Sequence, residues 1–319
     1  MMHQDQDRGE EGGGAPRPPS STSFELEVIV PVFEPLPPQY FVRMLSDSWL
    51  GCEATLAVSF RDLVLPRAHA AHTPLLDLDP LPVTCLRDPL AEARYRFGHL
   101  NPIQTRVFHA LYHADDSALV GAPTGSGKTF FAELAMLRLF RARPGSKVVY
   151  VAPLKALVRE RVADWGPAFC APLGRSLVEL TGDAAPDARA LEAADVIVTT
   201  PEKWDAVSRS WESRAYVRRV GLLVLDEIHL LGSQRGGVLE AIVSRMRHVS
   251  ALLAEGEAAA AALNGATPPS TSSSLRIVGL STALANAEDL ADWLGVPARC
   301  LFNFRPGVRP VPLEAHIQG

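Results

Sequence analysis

A doubly wound parallel α/β sheet is predicted over residues 90–307, and three observations predict it. Short runs such as Val148-Val149-Tyr150-Val151 and Leu222-Leu223-Val224-Leu225 are continuously apolar, which marks strands covered on both faces. Helical stretches lie between these runs, so strand and helix alternate along the chain. A Gly-rich turn, Gly121 to Thr129, joins one strand directly to a helix-like segment, Phe130 to Arg143. Sheets of this kind hold their ligands beyond the carboxyl ends of the strands.

Composition bounds the alternatives. The chain has 319 residues, 47% apolar and 21% charged, enough for one full α/β domain and a smaller piece. No apolar run approaches the ~20 residues of a membrane helix, and no membrane partner is expected. The four cysteines (Cys52, Cys85, Cys170, Cys300) are far apart. That spacing excludes a disulfide framework or a Cys-x-x-Cys metal site and points to a reducing compartment. The net charge of -5 argues against nucleic-acid affinity built on bulk charge; such binding must be local and contact-based.

Residues 1–23 are rich in Gly, Pro, Ser and Asp without an apolar core, and read as a disordered tail rather than a signal peptide. Residues 24–66 hold three strand-like runs, Phe24 to Val32, Tyr40 to Leu45 and Ala54 to Phe60. Three strands leave open edges, so this piece is the end of a β-sandwich or a small β extension on the main domain. Residues 67–89 read as a Pro/His/Asp-rich linker. Leu90 to Ala114 is helical in pattern, broken near Gly98 and restarted by Asn101-Pro102, an N-cap followed by proline at the first helical position. The strands that follow are Ala118–Gly121, Val148–Ala152, Ser176–Leu180, Val196–Thr199, Leu222–Leu225 and Arg276–Leu280. Residues 251–274 turn Ala-rich and then Pro/Ser/Thr-rich, a frayed helix end with a low-complexity surface insertion.

The turn reads Gly121-Ala122-Pro123-Thr124-Gly125-Ser126-Gly127-Lys128-Thr129. Strand, glycine loop and helix with Lys-Thr at its start form a phosphate-binding loop. Gly125 and Gly127 can turn consecutive N–H groups toward one point, and the helix aims its positive end there. Lys128 can place a charge on the phosphates, and Thr129 can offer a hydroxyl to Mg2+. The strict pattern has glycine where this chain has Ala122, so an ordinary Gly-rich turn stays open on the loop alone. Asp226-Glu227-Ile228-His229 closes the question, because it follows a buried strand at its carboxyl end. There Asp226 can hold Mg2+ and Glu227 can orient and deprotonate an attacking water.

Asp-Glu-Ile-His resembles motif II of superfamily-2 helicases of the DExH type. Ala152 to Leu157, Thr181 to Asp183, Thr199 to Trp204 and Ser281 to Ala283 resemble motifs Ia, Ic, Ib and III in the family's order, and Asn101 to Thr105 resembles the Q-type adenine motif. Pro-Leu-Lys-Ala-Leu-Val-Arg-Glu-Arg, Asp-Leu-Ala-Asp-Trp-Leu-Gly and Phe-Arg-Pro-Gly-Val-Arg-Pro-Val-Pro-Leu-Glu narrow the likeness to large helicases with two tandem cassettes. Alanine at position 122 is ordinary in that family.

The resemblance implies a RecA-like lobe that binds ATP and Mg2+, preceded by the closing part of an immunoglobulin-like β domain. It implies that Gln104 reads adenine and that Phe97 stacks on the base, core packing being the alternative for Phe97. Pro153, Lys155, Thr181, Gly182, Thr200, Pro201 and Lys203 would touch the backbone of single-stranded RNA or DNA without reading sequence. Ser281 and Thr282 would link the metal site to strand movement. His229 would couple nucleotide to nucleic-acid state, a structural histidine being the alternative. Residues 308–319 would begin the connection to a second RecA-like lobe that brings arginines to the transferring phosphate, a contribution of about 10³–10⁵ in rate for arginine fingers generally. The chain is therefore expected to bind ATP-Mg2+ without unwinding alone, as a fragment of a larger 3′–5′ helicase of the DNA-repair or ribosome-quality-control type. That helicase would work in a multi-subunit complex, nuclear or cytoplasmic. A spliceosomal type and a catalytically inactive nucleotide-sensing scaffold are the competing readings.

Overall fold

The computed structural model describes residues 39–59, 72–232, 236–263 and 274–311. The chain divides into two compact units, residues 1–67 and 68–319. The tail, the strand expected at Phe24 to Val32, residues 67–71 of the expected linker and residues 264–273 of the expected insertion lie outside the described residues.

The first unit shows a hairpin. β1 (Gln39–Leu45) and β2 (Glu53–Ser59) pair antiparallel from Gln39 opposite Ser59 to Leu45 opposite Glu53. Arg43 and Glu53 form an ion pair across it.

The second unit is a three-layer sandwich around one sheet. Its elements run α1 (Pro89–Glu92), α2 (Pro102–Tyr112), β3 (Ala118–Gly121), α3 (Lys128–Ala142), β4 (Lys147–Val151), α4 (Lys155–Trp165) and β5 (Leu177–Leu180). Then follow α5 (Ala188–Ala193), β6 (Val196–Thr199), α6 (Pro201–Ser208), α7 (Ala215–Arg218), β7 (Val220–Leu225), α8 (Gly236–Leu263), β8 (Arg276–Ser281), α9 (Ala287–Leu294) and β9 (Leu301–Asn303). The strands pair in the order β5-β6-β4-β7-β8-β3-β9, every pair parallel. β3, β4, β6, β7 and β8 are buried along their whole length, which is why their sequences carry no alternation.

Local chemistry sets the helix starts. Asn101 and Gln104 form a capping box on α2: Asn101 Oδ1 accepts from the Gln104 N–H at 2.8 Å, and Gln104 Oε1 accepts from the Asn101 N–H at 2.9 Å. Asp88 and Asp187 cap α1 and α5 in the simpler way.

Three features differ from the sequence reading. The helical stretch from Leu90 resolves into the one-turn α1 and, after a non-helical passage, α2. Val83 and Leu86, in the stretch read as linker, form a 3-10 turn that packs into the core. β9 has no counterpart in the sequence reading; it is three residues long and, among the described residues, pairs only along β3.

Strand order divides the carboxyl edge of the sheet in two. β3, β8 and β7 are neighbours, so the loops after Gly121, Ser281 and Leu225 stand side by side although they are far apart in sequence. β4, β6 and β5 are neighbours on the other half, and gather the loops after Val151, Thr199 and Leu180.

Candidate functional site

On the first half, the loop after β3 carries the expected turn. Gly125 and Gly127 have φ of +86° and +89°, the left-handed region that costs a side chain and not glycine. A β-carbon on Gly127 would also lie 2.5 Å from Gln104 Nε2. Gly127→Ala is therefore expected to weaken phosphate binding and to displace Gln104, which nucleotide titration of that variant would show. Ala122 is buried, and its N–H donates to the Ser281 carbonyl at 2.9 Å, so a methyl is tolerated there. Pro123 is buried and accepts the Ser126 hydroxyl at 2.6 Å, while Thr124 is exposed. Asn101 Nδ2 donates to the Ser126 carbonyl at 3.1 Å, tying the start of α2 to the loop.

Lys128 Nζ stands 3.4 Å from Glu227 Oε1 and has no hydrogen-bond partner although it is buried. Glu227 takes a left-handed φ of +52°, a backbone cost of about 1 kcal/mol or more that clusters at functional sites. Its Oε2 is buried without a hydrogen-bond partner, 3.3 Å from His229 Nδ1. His229 Nδ1 also lies 3.2 Å from Ser281 Oγ, so the loops after β7 and β8 touch directly.

Asp226 accepts the Tyr150 hydroxyl at 2.6 Å and its neighbour's N–H at 3.0 Å. Burial pushes the Asp226 carboxyl above its ordinary range, Glu227 adds to this, and Tyr150 and Lys128 pull it back. Thr129 Oγ1 accepts from Arg161 Nη1 at 2.8 Å. A carboxylate oxygen, a hydroxyl and an ammonium that makes no hydrogen bond gather at the ends of these strands. Such an oxygen set suits a hard divalent cation that keeps water and phosphate as its other ligands. Thr129 and Asp226 would hold Mg2+, and Lys128 would meet the phosphates.

On the second half, a cleft of about 740 Å³ is lined by Pro153, Leu154, Lys155, Ala156, Gly182, Thr200, Glu202 and Lys203. Five of the seven residues expected to touch a strand thus share one groove. Thr181 and Pro201 are buried instead. The Thr181 hydroxyl donates to Glu179 at 2.8 Å and accepts the Ala184 N–H at 3.2 Å, so its polar atoms serve the loop. Lys155 Nζ meets Asp183 at 2.8 Å and Arg159 Nη2 meets the same carboxylate at 2.9 Å.

A family model described as DEAD/DEAH box helicase matches residues 101–289. The chain belongs to that family. A second family model, described as Sec63 Brl domain, matches residues 16–59, beginning inside the stretch read as a tail. Activating signal cointegrator 1 complex subunit 3 of Danio rerio is 58% identical over 92% of this chain and 18% of its own length. Its Homo sapiens namesake is 56% identical over 92% and 12%. The DExH-box ATP-dependent RNA helicase DExH14 of Arabidopsis thaliana is 59% identical over 92% and 13%. The chain thus spans 12–18% of the length of these curated relatives. The DUF1998 helicase MrfA bound to DNA superposes with a TM-score of 0.55 at 18% identity, over 70% of this chain and 31% of that one, a likeness of fold.

In this helicase lobe the Q-type motif sits over the phosphate loop, with Gln104 buried and spent partly on its own helix cap. Phe97 is 39% exposed, its ring 5.3 Å from Tyr95 and edge-on to Phe130 at 5.9 Å. The ring packs on both aromatics while part of it stays exposed. Beneath this cluster Glu133 accepts from Tyr95 Oη at 2.7 Å, Trp165 Nε1 at 2.8 Å and Arg94 at 3.2 Å. Burial pushes its carboxyl up while these three donors hold it back. Glu133→Gln puts amide hydrogens where acceptors are needed. It is expected to lower stability by about 1–2 kcal/mol, read as a lower melting temperature.

Sequence reasoning missed Tyr150, Arg161 and Glu133. Tyr150 left a trace, a hydroxyl in an otherwise aliphatic strand; Arg161 and Glu133 look like ordinary helix-surface residues until α3 and α4 are packed.

Proposed function

We propose that this chain is the ATP-binding motor lobe of a helicase that moves 3′ to 5′ along a single strand, using ATP with Mg2+. The observation that carries the reading is the meeting of Lys128, Thr129, Asp226, Glu227 and Ser281 at the ends of three adjacent strands, beside a groove holding Lys155 and Lys203. The loop N–H groups and Lys128 bind and orient the phosphates. Thr129 and Asp226 would hold Mg2+, which would supply positive charge to offset that of the phosphates. Glu227, with an unpartnered Oε2, positions and deprotonates the attacking water. His229 and Ser281 carry a change at Glu227 to the loop after β8, and α4 runs from Lys155 in the groove to Arg161 on Thr129. A complete set of phosphate and water ligands opposes the inactive-scaffold reading.

A second RecA-like lobe closes over the nucleotide, and the protein acts in a multi-subunit complex in nucleus or cytoplasm. The names of the relatives support the complex and the nucleic-acid substrate: one is a complex subunit, another an RNA helicase. Groove contacts to a sugar-phosphate backbone accept RNA and DNA alike.

The test is binding of single-stranded RNA and DNA by the purified chain, with and without Mg2+ and a non-hydrolysable ATP analogue. Nucleotide binding is expected to need Mg2+. Lys155→Ala and Lys203→Ala are each expected to weaken every strand equally and to cut the salt slope by about one. A chain that binds neither nucleotide nor strand would refute the reading.

A further inference from the structure

The charge at the phosphate loop is not confined to Lys128. After β9 the chain makes a 3-10 turn, Pro306–Val308, stiffened by proline, and delivers Arg309 over the loop. A β-carbon on Gly125 would stand 3.4 Å from Arg309 Nη2 and 3.5 Å from its Nε. The Nε is buried and has no hydrogen-bond partner, and no ion pair holds Arg309 among the described residues. Arg309, Thr124, Pro123, Thr282, Ala283 and Pro306 surround a cleft of about 600 Å³.

A shielded donor without an acceptor is costly, and a native one calls for a ligand. An anion with oxygens in a plane or fork matches it best, because the guanidinium is charged and presents its N–H groups that way. The loop below offers its own N–H groups to the same kind of anion. We infer that Arg309 is a second phosphate-binding cation beside Lys128, donating to phosphate oxygens of the bound nucleoside triphosphate. This rests on the proposed nucleotide site. It supplies from the lobe's own chain an arginine of the kind expected only from a second lobe.

The experiment is titration of the full chain with a fluorescent ATP analogue in Mg2+, comparing wild type, Arg309→Gln, Arg309→Lys and Lys128→Ala, with melting curves recorded without nucleotide. Arg309→Gln is expected to weaken binding about tenfold or more, the worth of one charged hydrogen bond, at an unchanged melting temperature. Arg309→Lys is expected to recover part of the loss. Wild-type or tighter binding by Arg309→Gln overturns the inference, the tighter case marking Arg309 as a plug. Equal loss in the Gln and Lys variants together with a lower melting temperature also overturns it, since Arg309 would then be structural. If Lys128→Ala binds as wild type, the nucleotide site itself is wrong, which is a separate failure.

Discussion

Arg276→Leu is expected to lower the stability of the helicase lobe by about 3–5 kcal/mol, a large share of the ~5–15 kcal/mol of a typical domain. Arg276 opens β8 in the middle of the sheet and is 2% exposed. No carboxylate pairs with it directly among the described residues. Its guanidinium donates instead to three backbone carbonyls: Ala110 at 2.9 Å, Leu111 at 3.1 Å and Asp116 at 2.8 Å. Two of these belong to the last turn of α2, where carbonyls have no helical partner and the helix dipole is negative. Burial lowers the guanidinium to about 10, with Asp115 pulling it back, so it stays charged at neutral pH. Leucine fills much of the volume but leaves three buried carbonyls bare, each loss costing about 1–3 kcal/mol. Lysine keeps the charge on one nitrogen that cannot span three acceptors, so Arg276→Lys is expected to fall between. Urea unfolding of the three proteins checks this; midpoints that coincide would show the fork to be dispensable. The effect reaches the site, because α2 carries Gln104 at its other end.

Arg276 also marks where the sequence stops being legible. As the first residue of a predicted strand it carried no sign of capping a helix some 160 positions earlier. The central strands were readable because full burial leaves runs that are apolar except at their ends, and Ala118–Gly121 and Val196–Thr199 appear with the expected bounds. β9 was not readable: Leu301–Asn303 is too short for a pattern, and it is a strand only because β3 lends it an edge. α8 runs to Leu263, since an alanine-rich stretch extends a helix as easily as it frays one. At the site, Lys128, Asp226, Glu227 and Ser281 were legible because their chemistry demands fixed spacing from a glycine loop or a strand end. Thr181 and Pro201 are buried, which the motif did not foretell, because a motif says which residues recur and not which of them face outward. Arg161 and Arg309 act through tertiary approach to the loop, for which no local pattern exists.

Lys128→Ala is expected to reduce nucleotide affinity about a hundredfold or more. Two charged contacts to phosphate are worth about 1.5–3 kcal/mol each, and this ammonium is poised to make them. Its side chain is only 13% exposed and 3.4 Å from Glu227 Oε1, while its Nζ lacks any hydrogen bond. Folding has already stripped its water, so little desolvation is left for binding to meet. For the same reason the variant is expected to melt no lower than wild type without nucleotide. Calorimetric titration with an ATP analogue and Mg2+ decides it; affinity within threefold of wild type would remove Lys128 from the phosphate site. Glu227→Gln is the informative companion, expected to retain binding while turnover falls about 10²–10⁴-fold through loss of the base. The double variant then separates two roles for the ammonium. Binding stays lost in Lys128→Ala/Glu227→Gln if Lys128 acts on the phosphates, and returns if its task is only to balance the Glu227 charge.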